Sequence, residues 1–483
     1  MPRQLIGWSM AGSRLIIDVS TLIRSEGQAT GISRVSYELS RWALKHRQDA
    51  RLAAIDWVYD YGTFRILNPA SAAGLLQKKV VIDTFLVPDR WRADKIRIRE
   101  YLPIPLRYCI MCVQHPRRAV VLQLERWRHR AGAGPLAERI TRIQEWFLTD
   151  KYRRELSIKD GQRAQLVSYR IALQKFEPRP GDVLLLTGAD WGATNPQLFE
   201  AIKSKHGGRV VWLCYDIIAL LYPHFFLPSV GRDFREYAHR LLAIADLVLV
   251  SARAVETDLI KYCREQDLPV PLTRVIGYGS DLTRSFTEPA FELGHGLAPG
   301  RYAMFVSTIE PRKGHRTLLS VWKRLLSEGV PQAAQFGLVF VGRAGWLVDD
   351  LMIDLKALNG AKNRFHLLTG IGDEELASLY RHAAFCLYPS IYEGYGLPVV
   401  EAFGYGKAVL ASNGGALKEV VGDFSPIIDP LDEDAWYVAL KRWIEHPGER
   451  APFEKTIRER YRHPTWNEAA REFFATIDDA LGR

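Results

Sequence analysis

A chain of 483 residues, 47% apolar and 25% charged, is too long for one core and has the composition of a folded protein, not a disordered one. Lys and Arg number 65 against 55 Asp and Glu, a formal charge of +10 that asks for a polyanionic partner: nucleic acid, anionic lipid or a phosphorylated substrate. No run approaches the ~18–20 apolar residues of a membrane-spanning helix, the N-terminus lacks the apolar core of a signal peptide, and five cysteines make no disulfide framework; a cytosolic compartment is expected.

Short β-branched runs, each followed by a helix-like stretch, predict strands at Leu15–Ser20, Leu52–Val58, Val183–Thr187, Val210–Asp216, Leu247–Ser251 and Arg274–Tyr278. Near-continuous apolar runs bounded by Gly or polar residues are those of parallel strands buried on both faces. From about Val87 to Lys175 this rhythm stops, and aromatic, basic and Pro residues interleave. The segment reads as an insert with its own helices. It holds one C-x-x-C, Cys109 and Cys112, without a second ligand pair at zinc spacing; these read as two buried small residues or as a metal or redox pair. Between Arg90 and Arg130 stand eleven Lys or Arg and three Asp or Glu, with Trp91, Tyr101, Tyr108, Trp127 and the apolar run Tyr108–Val113. That pattern fits either an interfacial membrane element or a solvated basic insert.

The aperiodic stretch Glu288–Gly300 marks a boundary. Beyond it a second series of strands is predicted at Tyr302–Ser307, Gly337–Gly342, Phe365–Thr369, Phe385–Tyr388, Ala408–Ser412 and Pro426–Asp429, with helices at Arg316–Ser327 and Asp373–Ala383 between them. Two such series make an α/β protein of two doubly wound domains, 1–290 (with the insert at about 87–175) and 300–455. The remainder, 456–483, contains an amphipathic pattern from Tyr461 to Leu481 with Ala470, Phe473, Phe474, Ile477 and Leu481 at helical spacing.

Two motifs carry chemistry. Pro389-Ser390-Ile391-Tyr392-Glu393-Gly394-Tyr395-Gly396-Leu397-Pro398 follows a strand, at the end where α/β folds bind ligands. Pro398 suits a helix start, which places Glu393 in the loop and Glu401 in the first turn. Gly394 and Gly396 let backbone amides approach a ligand, and such a helix N-terminus favours phosphate. Ser307-Thr308-Ile309-Glu310-Pro311-Arg312-Lys313-Gly314 also follows a strand and offers a planar fork and a point charge that can neutralise a diphosphate without a metal.

Glu393 and Glu401, separated by seven residues, resemble the E-x7-E signature of retaining GT-B glycosyltransferases. With Glu310-Pro311-Arg312-Lys313-Gly314 and Glu401-Ala402-Phe403-Gly404-Tyr405-Gly406, the chain resembles glycosyltransferase family 4 over roughly Arg301 to Asp434. Thr30-Gly31-Ile32-Ser33-Arg34-Val35 and Tyr215-Asp216-Ile217-Ile218 are similar to bacterial mannosyl- and rhamnosyltransferases that build surface polysaccharides. The resemblance implies two Rossmann-like domains facing across a cleft, the C-terminal one for the nucleotide-sugar and the N-terminal one for the acceptor, with the last helix crossing back. Arg312 and Lys313 would hold the diphosphate, Glu401 the ribose, and Glu393 the donor sugar, as a positioning group or as a nucleophile. Gly394, Tyr395, Gly396 and Leu397 would surround sugar and phosphate, Gly342, Arg343 and Leu367 the base, and Gly31 would approach the diphosphate. Asp216 would lie near sugar or acceptor. Relatives carry His just before such an Asp, and here that residue is Tyr215; His224 and His239 are alternative candidates for an N-terminal catalytic group.

The expected activity is retaining transfer of a hexose, mannose or a deoxyhexose, from a GDP-sugar or else a UDP- or dTDP-sugar. The expected acceptor is a lipid-linked or polysaccharide glycan at the cytoplasmic membrane face. No metal or cofactor is implied. A sugar phosphorylase on this scaffold would need a pyridoxal-phosphate lysine that cannot be identified. A nucleic-acid-binding protein would share the basic charge. The surplus in 90–130 favours an anionic membrane surface over nucleic acid.

Overall fold

The structure is a computed structural model that describes residues 13–24, 31–55, 64–78, 80–83, 165–168, 172–189, 196–280, 293–462 and 464–483, with Trp191 and single helical residues between 120 and 143. The segment 90–130 and the Cys109–Cys112 pair lie outside the described residues, those single positions apart.

Among the described residues, ten strands lie before residue 281: β1 (Leu15–Asp18), β2 (Ala50–Ile55), β3 (Phe64–Leu67), β4 (Val80–Asp83), β5 (Gln165–Ser168), β6 (Leu173–Lys175), β7 (Val183–Leu186), β8 (Arg209–Cys214), β9 (Leu247–Val250) and β10 (Thr273–Val275). Eight of them form a sheet in the order β10-β9-β8-β7-β1-β2-β3-β6, and β4 pairs with β5 in a separate two-stranded sheet. The β2–β1–β7–β8 run is parallel, and β1, β7 and β9 are buried along their whole length, as continuous apolar runs require. At the β2 edge the sheet turns antiparallel through β3 and β6. The carboxyl ends of β1 and β7 are tied by a buried polar network: Thr187 Oγ1 donates to the Asp18 carbonyl (2.6 Å), and Ser36 Oγ lies 2.9 Å from Thr187 Oγ1.

Six further strands, β11 (Tyr302–Val306), β12 (Gly337–Val341), β13 (Phe365–Leu368), β14 (Phe385–Tyr388), β15 (Val409–Ser412) and β16 (Ile427–Ile428), make an all-parallel sheet in the order β13-β12-β11-β14-β15-β16. Strand order reverses between β11 and β14. A crevice opens outside the carboxyl ends at such a switch point, and the loops leaving those two strands carry both predicted motifs. The core holds Trp322 and Trp436 with Phe305, Phe340, Phe365 and Phe385, all essentially without exposure. Phe305 and Phe340 meet edge to face at 5.7 Å. Helix His315–Ser327 covers this sheet because Leu318, Val321, Trp322 and Leu325 recur on one face. Arg316 and Lys323, on its other face, pair with Asp350 and Asp354.

Every predicted strand is found, most of them shortened by one or two residues at the carboxyl end, where the chain leaves the ladder to build loops. The last helix begins at Trp466, not Tyr461. Its start is set by a capping box: Thr465 Oγ1 accepts from the Glu468 amide (3.2 Å), and the Glu468 carboxylate accepts from the Thr465 amide (3.2 Å). Contacts divide the chain into two compact units, 1–213 with 236–248 and 476–483, and 214–235 with 249–475. Among the described residues no helix is long and apolar enough to cross a membrane.

Candidate active site

The charged centre lies in the second unit, at the carboxyl ends of β11 and β14. After β11 the chain makes one 3-10 turn, Pro311–Lys313, which turns Arg312 and Lys313 inward. After β14, Pro389 to Gly396 leads into helix Leu397–Gly404, with Gly396 as its N-cap. The two loops are joined by a backbone bond from the Ile391 amide to the Arg312 carbonyl (2.7 Å).

Four charges interlock there. Lys313 Nζ reaches Glu393 Oε1 at 2.5 Å, and Arg312 Nη1 donates to Glu393 Oε2 (3.0 Å) and to the Tyr392 carbonyl (2.7 Å). Arg312 Nη2 pairs with Glu310 Oε1 at 2.8 Å. Glu310, Lys313 and Glu393 are 3%, 8% and 5% exposed. Burial alone would raise the Glu393 carboxyl, but the Arg312 and Lys313 charges outweigh it and hold it at about 2. Burial raises Glu310, with Arg312 opposing, and burial assisted by Arg312 lowers Lys313. The neighbouring His315 is neutral, lowered to about 3 by burial and then by Lys313. One donor is left over: Arg312 Nε is buried with no hydrogen-bond partner among the described residues. A charged N–H so placed is costly unless something accepts from it.

The glycines explain how the loops come so close. A Cβ on Gly394 would sit 2.4 Å from the Tyr215 carbonyl oxygen and 2.8 Å from Asp216 Cβ. Only Gly therefore lets the Glu393 loop rest on Tyr215–Asp216. Ser251 Oγ lies between them, 2.6 Å from the Gly394 carbonyl oxygen and 3.0 Å from that of Tyr215. Asp216 Oδ1 accepts from the Ile218 amide (3.0 Å); burial raises its carboxyl, with Arg312 opposing. Likewise a Cβ on Gly342 would meet the Ser307 carbonyl oxygen at 1.9 Å, so the loop after β12 closes on the loop after β11.

The structure thus brings together Arg312, Lys313, Glu393, Gly394 and Asp216. Glu401 is buried one helical turn into Leu397–Gly404 and accepts from Tyr380 OH (3.0 Å), whose ring stacks on Tyr405 at 5.4 Å. Tyr395 packs edge to face on Tyr278 at 5.0 Å. Arg343 is exposed beside Gly342, and its carbonyl accepts from the Ile309 amide (2.9 Å). The Leu367 amide donates to Asn359 Oδ1 (2.9 Å). Gly31 lies in the other unit, where it N-caps helix Ile32–His46 at φ 54°, and His239 lies there too.

Sequence reasoning missed two groups. Glu310 opens the Glu310–Gly314 motif but was given no role there, and Tyr380 belongs to no motif; they act on residues 2 and 21 positions away. An aromatic cluster was missed as well. His224 and Phe225 rings are 4.2 Å apart, Phe226 stacks on Trp346 at 5.7 Å, and Tyr222 meets Tyr392 at 5.5 Å. Trp346 Nε1 donates to the Phe225 carbonyl (2.7 Å). His224 is exposed and belongs to this wall, apart from the charged centre's hydrogen bonds. Among the described residues no group of three or more His, Cys, Asp or Glu could hold a metal ion.

The family model described as "Glycosyl transferases group 1" matches residues 297–460. The O-antigen chain mannosyltransferase B of Escherichia coli is 30% identical over 268 residues, spanning 50% of this chain and 69% of that protein. The serotype-specific mannosyltransferase WbdA of Escherichia coli is 29% identical over 254 residues, which cover 50% of this chain but 29% of WbdA. Among solved structures, Anabaena Alr3699/HepE in complex with UDP aligns over 97% of this chain and 100% of its own, with a TM-score of 0.56 at 15% identity. That likeness shows the fold. The two Rossmann-like sheets, the matched domain and the mannosyltransferase relative place the chain among the group 1 glycosyltransferases, GT-B enzymes related to the family 4 bacterial mannosyl- and rhamnosyltransferases of surface polysaccharide synthesis.

Proposed function

We propose that this nucleotide-sugar-dependent enzyme is a retaining hexosyltransferase that uses Arg312 and Lys313 to stabilise the departing nucleotide diphosphate. The observation that carries the reading is the unspent donor, Arg312 Nε, buried beside Lys313 at the β11/β14 switch point. A diphosphate would accept from it and compete with Glu310 and Glu393 for the other N–H groups. Glu393, released from Lys313, would then accept from hydroxyls of the donor sugar, a positioning role. As the glycosidic bond breaks, negative charge grows on phosphate oxygens that the two cations already face, and each contact of this kind is worth ~3–4 kcal/mol in the barrier. The departing phosphate takes the acceptor's proton on the same face of the sugar, so configuration is retained.

Glu401 would hold the ribose, amides of Gly394 to Leu397 the phosphate, and Gly342, Arg343 and Leu367 the base, with Gly31 approaching the diphosphate and Asp216 near sugar or acceptor. The two mannosyltransferase relatives support mannose as the donor sugar; a GDP carrier, or a related deoxyhexose in its place, rests on the motif resemblance alone. The aromatic wall Tyr222, Phe225, Phe226 and Trp346 supports a glycan acceptor, because sugar faces stack on aromatic rings. Basic segment 90–130 would bring the enzyme to an anionic cytoplasmic membrane face, beside a lipid-linked or polysaccharide acceptor.

The test is transfer from GDP-mannose, measured with UDP- and dTDP-sugars in parallel, by Arg312→Ala and Lys313→Ala. Each should lose about 100- to 1,000-fold in kcat with native circular dichroism. Near-normal turnover by both would remove the phosphate role.

A further inference from the structure

Away from the switch points, at the amino ends of β1, β2 and β7, the first unit carries an open pocket of about 560 Å³. Its lining contains Arg14, Arg47, Arg51, Arg179 and Arg483 against Asp49 and Asp478. Three of these arginines are built into the fold. Arg14 pairs with Asp182 at 2.7 Å, Arg47 with Asp49 at 3.1 Å and Asp478 at 2.6 Å, and Arg483 Nη2 with Asp49 at 2.8 Å. These bridges fix the guanidinium planes from two sides, the amino ends of the strands and the last helix.

They do not use all the donors. The Arg483 side chain is 9% exposed, and its Nη1 is buried without a hydrogen-bond partner among the described residues, with Asp478 Oδ1 no nearer than 3.8 Å. Arg51 and Arg179 are exposed at the rim. Salt bridges for the last helix alone would need as many cations as anions; with Asp182 counted, five arginines here meet three carboxylates, a surplus of two. A preorganised surplus of guanidinium forks is suited to a doubly charged oxyanion, whose oxygens each accept from one fork. The donor loops lie in the other unit, at the carboxyl ends of another sheet, so this is no part of the candidate active site.

We propose that this arginine pocket is a second anion site, for a phosphate monoester or diphosphate, with the buried Arg483 Nη1 as its innermost donor. The group is delivered either as a free phosphate compound or as a phosphorylated glycerol of the kind found in lipid headgroups.

The experiment is calorimetric titration of the full chain with inorganic pyrophosphate and, separately, with glycerol 3-phosphate. Wild type is compared with the rim variant Arg51→Glu/Arg179→Glu and with Arg483→Met. Arg312 and Lys313 are present in all three proteins, so any binding there is common to them. One binding event should weaken about tenfold or more in both variants. Because Arg51 and Arg179 are exposed, the rim variant should keep the wild-type melting temperature in phosphate-free buffer and the wild-type transfer rate. Loss with pyrophosphate alone identifies free phosphate as the source, and loss with glycerol 3-phosphate alone the headgroup. Identical titrations of wild type and the rim variant, or no heat from either compound at millimolar concentration, would overturn the proposal.

Discussion

Glu393 meets two cations at once inside a nearly closed site, and its energetics follow from that. Removing one partner of a buried ion pair leaves the other charge stranded, at a cost of ~3–5 kcal/mol. The drop of the carboxyl from its ordinary 4.5 to about 2 corresponds to about 3 kcal/mol of charge stabilisation, of the same order. A depressed carboxyl contributes in full above its unfolded value and is lost as pH falls through its folded one. Glu310 and Asp216, raised by burial, act oppositely: their contribution is present below their ordinary values and fades as pH rises. Comparison with Glu393→Gln isolates the first effect. Urea denaturation should find the variant less stable by about 3 kcal/mol at pH 7, with the gap closing as pH falls from 4.5 toward 2. A gap independent of pH over that range would mean that Glu393 is not held by its charge. The residues of this centre were legible because they sit in two short motifs; Glu310's pairing was not, because only the 3-10 turn at Pro311–Lys313 brings its carboxylate to Arg312.

At the scale of elements, the parallel strands were readable because burial on both faces makes them apolar throughout, as in β9, β11 and β12. Four of the described strands were missed; β4 and β5 are four-residue runs that pair only with each other, apart from the main sheet, and β3 and β6 lack that signature. β3 is only partly buried, and β6 is three residues long with Gln174 and Lys175 exposed, so neither stands out from a loop. Loops suffer more, because what they touch is set by strands far away in sequence. The 215–227 loop illustrates this: nothing in Tyr222-Pro223-His224-Phe225-Phe226 announces that Trp346, some 120 residues on, donates to the Phe225 carbonyl. This aromatic wall yields a prediction specific to the acceptor. Phe225→Ala keeps the carbonyl that Trp346 needs and removes only a half-buried ring. It should raise KM for the glycan acceptor about tenfold, as loss of a stacking face would, while hydrolysis of the donor in the absence of acceptor keeps its rate. Equal changes in both assays would place Phe225 in support of the donor instead.

For the molecule as a whole, the question is where the charge resides. Residues 297–460, the part matched by the family model, contain 19 Lys and Arg against 20 Asp and Glu, so the +10 lies outside them. On the proposed function, phosphate recognition would rest on two cations at one switch point and would not need a basic protein. The surplus is concentrated between Arg90 and Arg130, with eleven Lys or Arg among aromatic residues, and a cluster of that kind attracts anionic lipid by about 1 kcal/mol per near-surface charge. Such attraction weakens with salt, because screening shortens from ~10 Å at 0.1 M to ~3 Å at 1 M. The chain should sediment with vesicles containing phosphatidylglycerol at low salt and be released at high salt, whereas neutral phosphatidylcholine vesicles should leave it in the supernatant. Replacing Arg97, Arg99, Arg107, Arg117 and Arg118 by Gln should abolish this sedimentation. Affinity for free nucleotide should be unchanged, because its proposed contacts lie in the second unit, apart from an approach by Gly31. Tight, salt-sensitive binding to single-stranded oligonucleotides with none to vesicles would instead assign the surplus to nucleic acid, and equal binding to both kinds of vesicle would show that the aromatic residues, not the charges, make the contact.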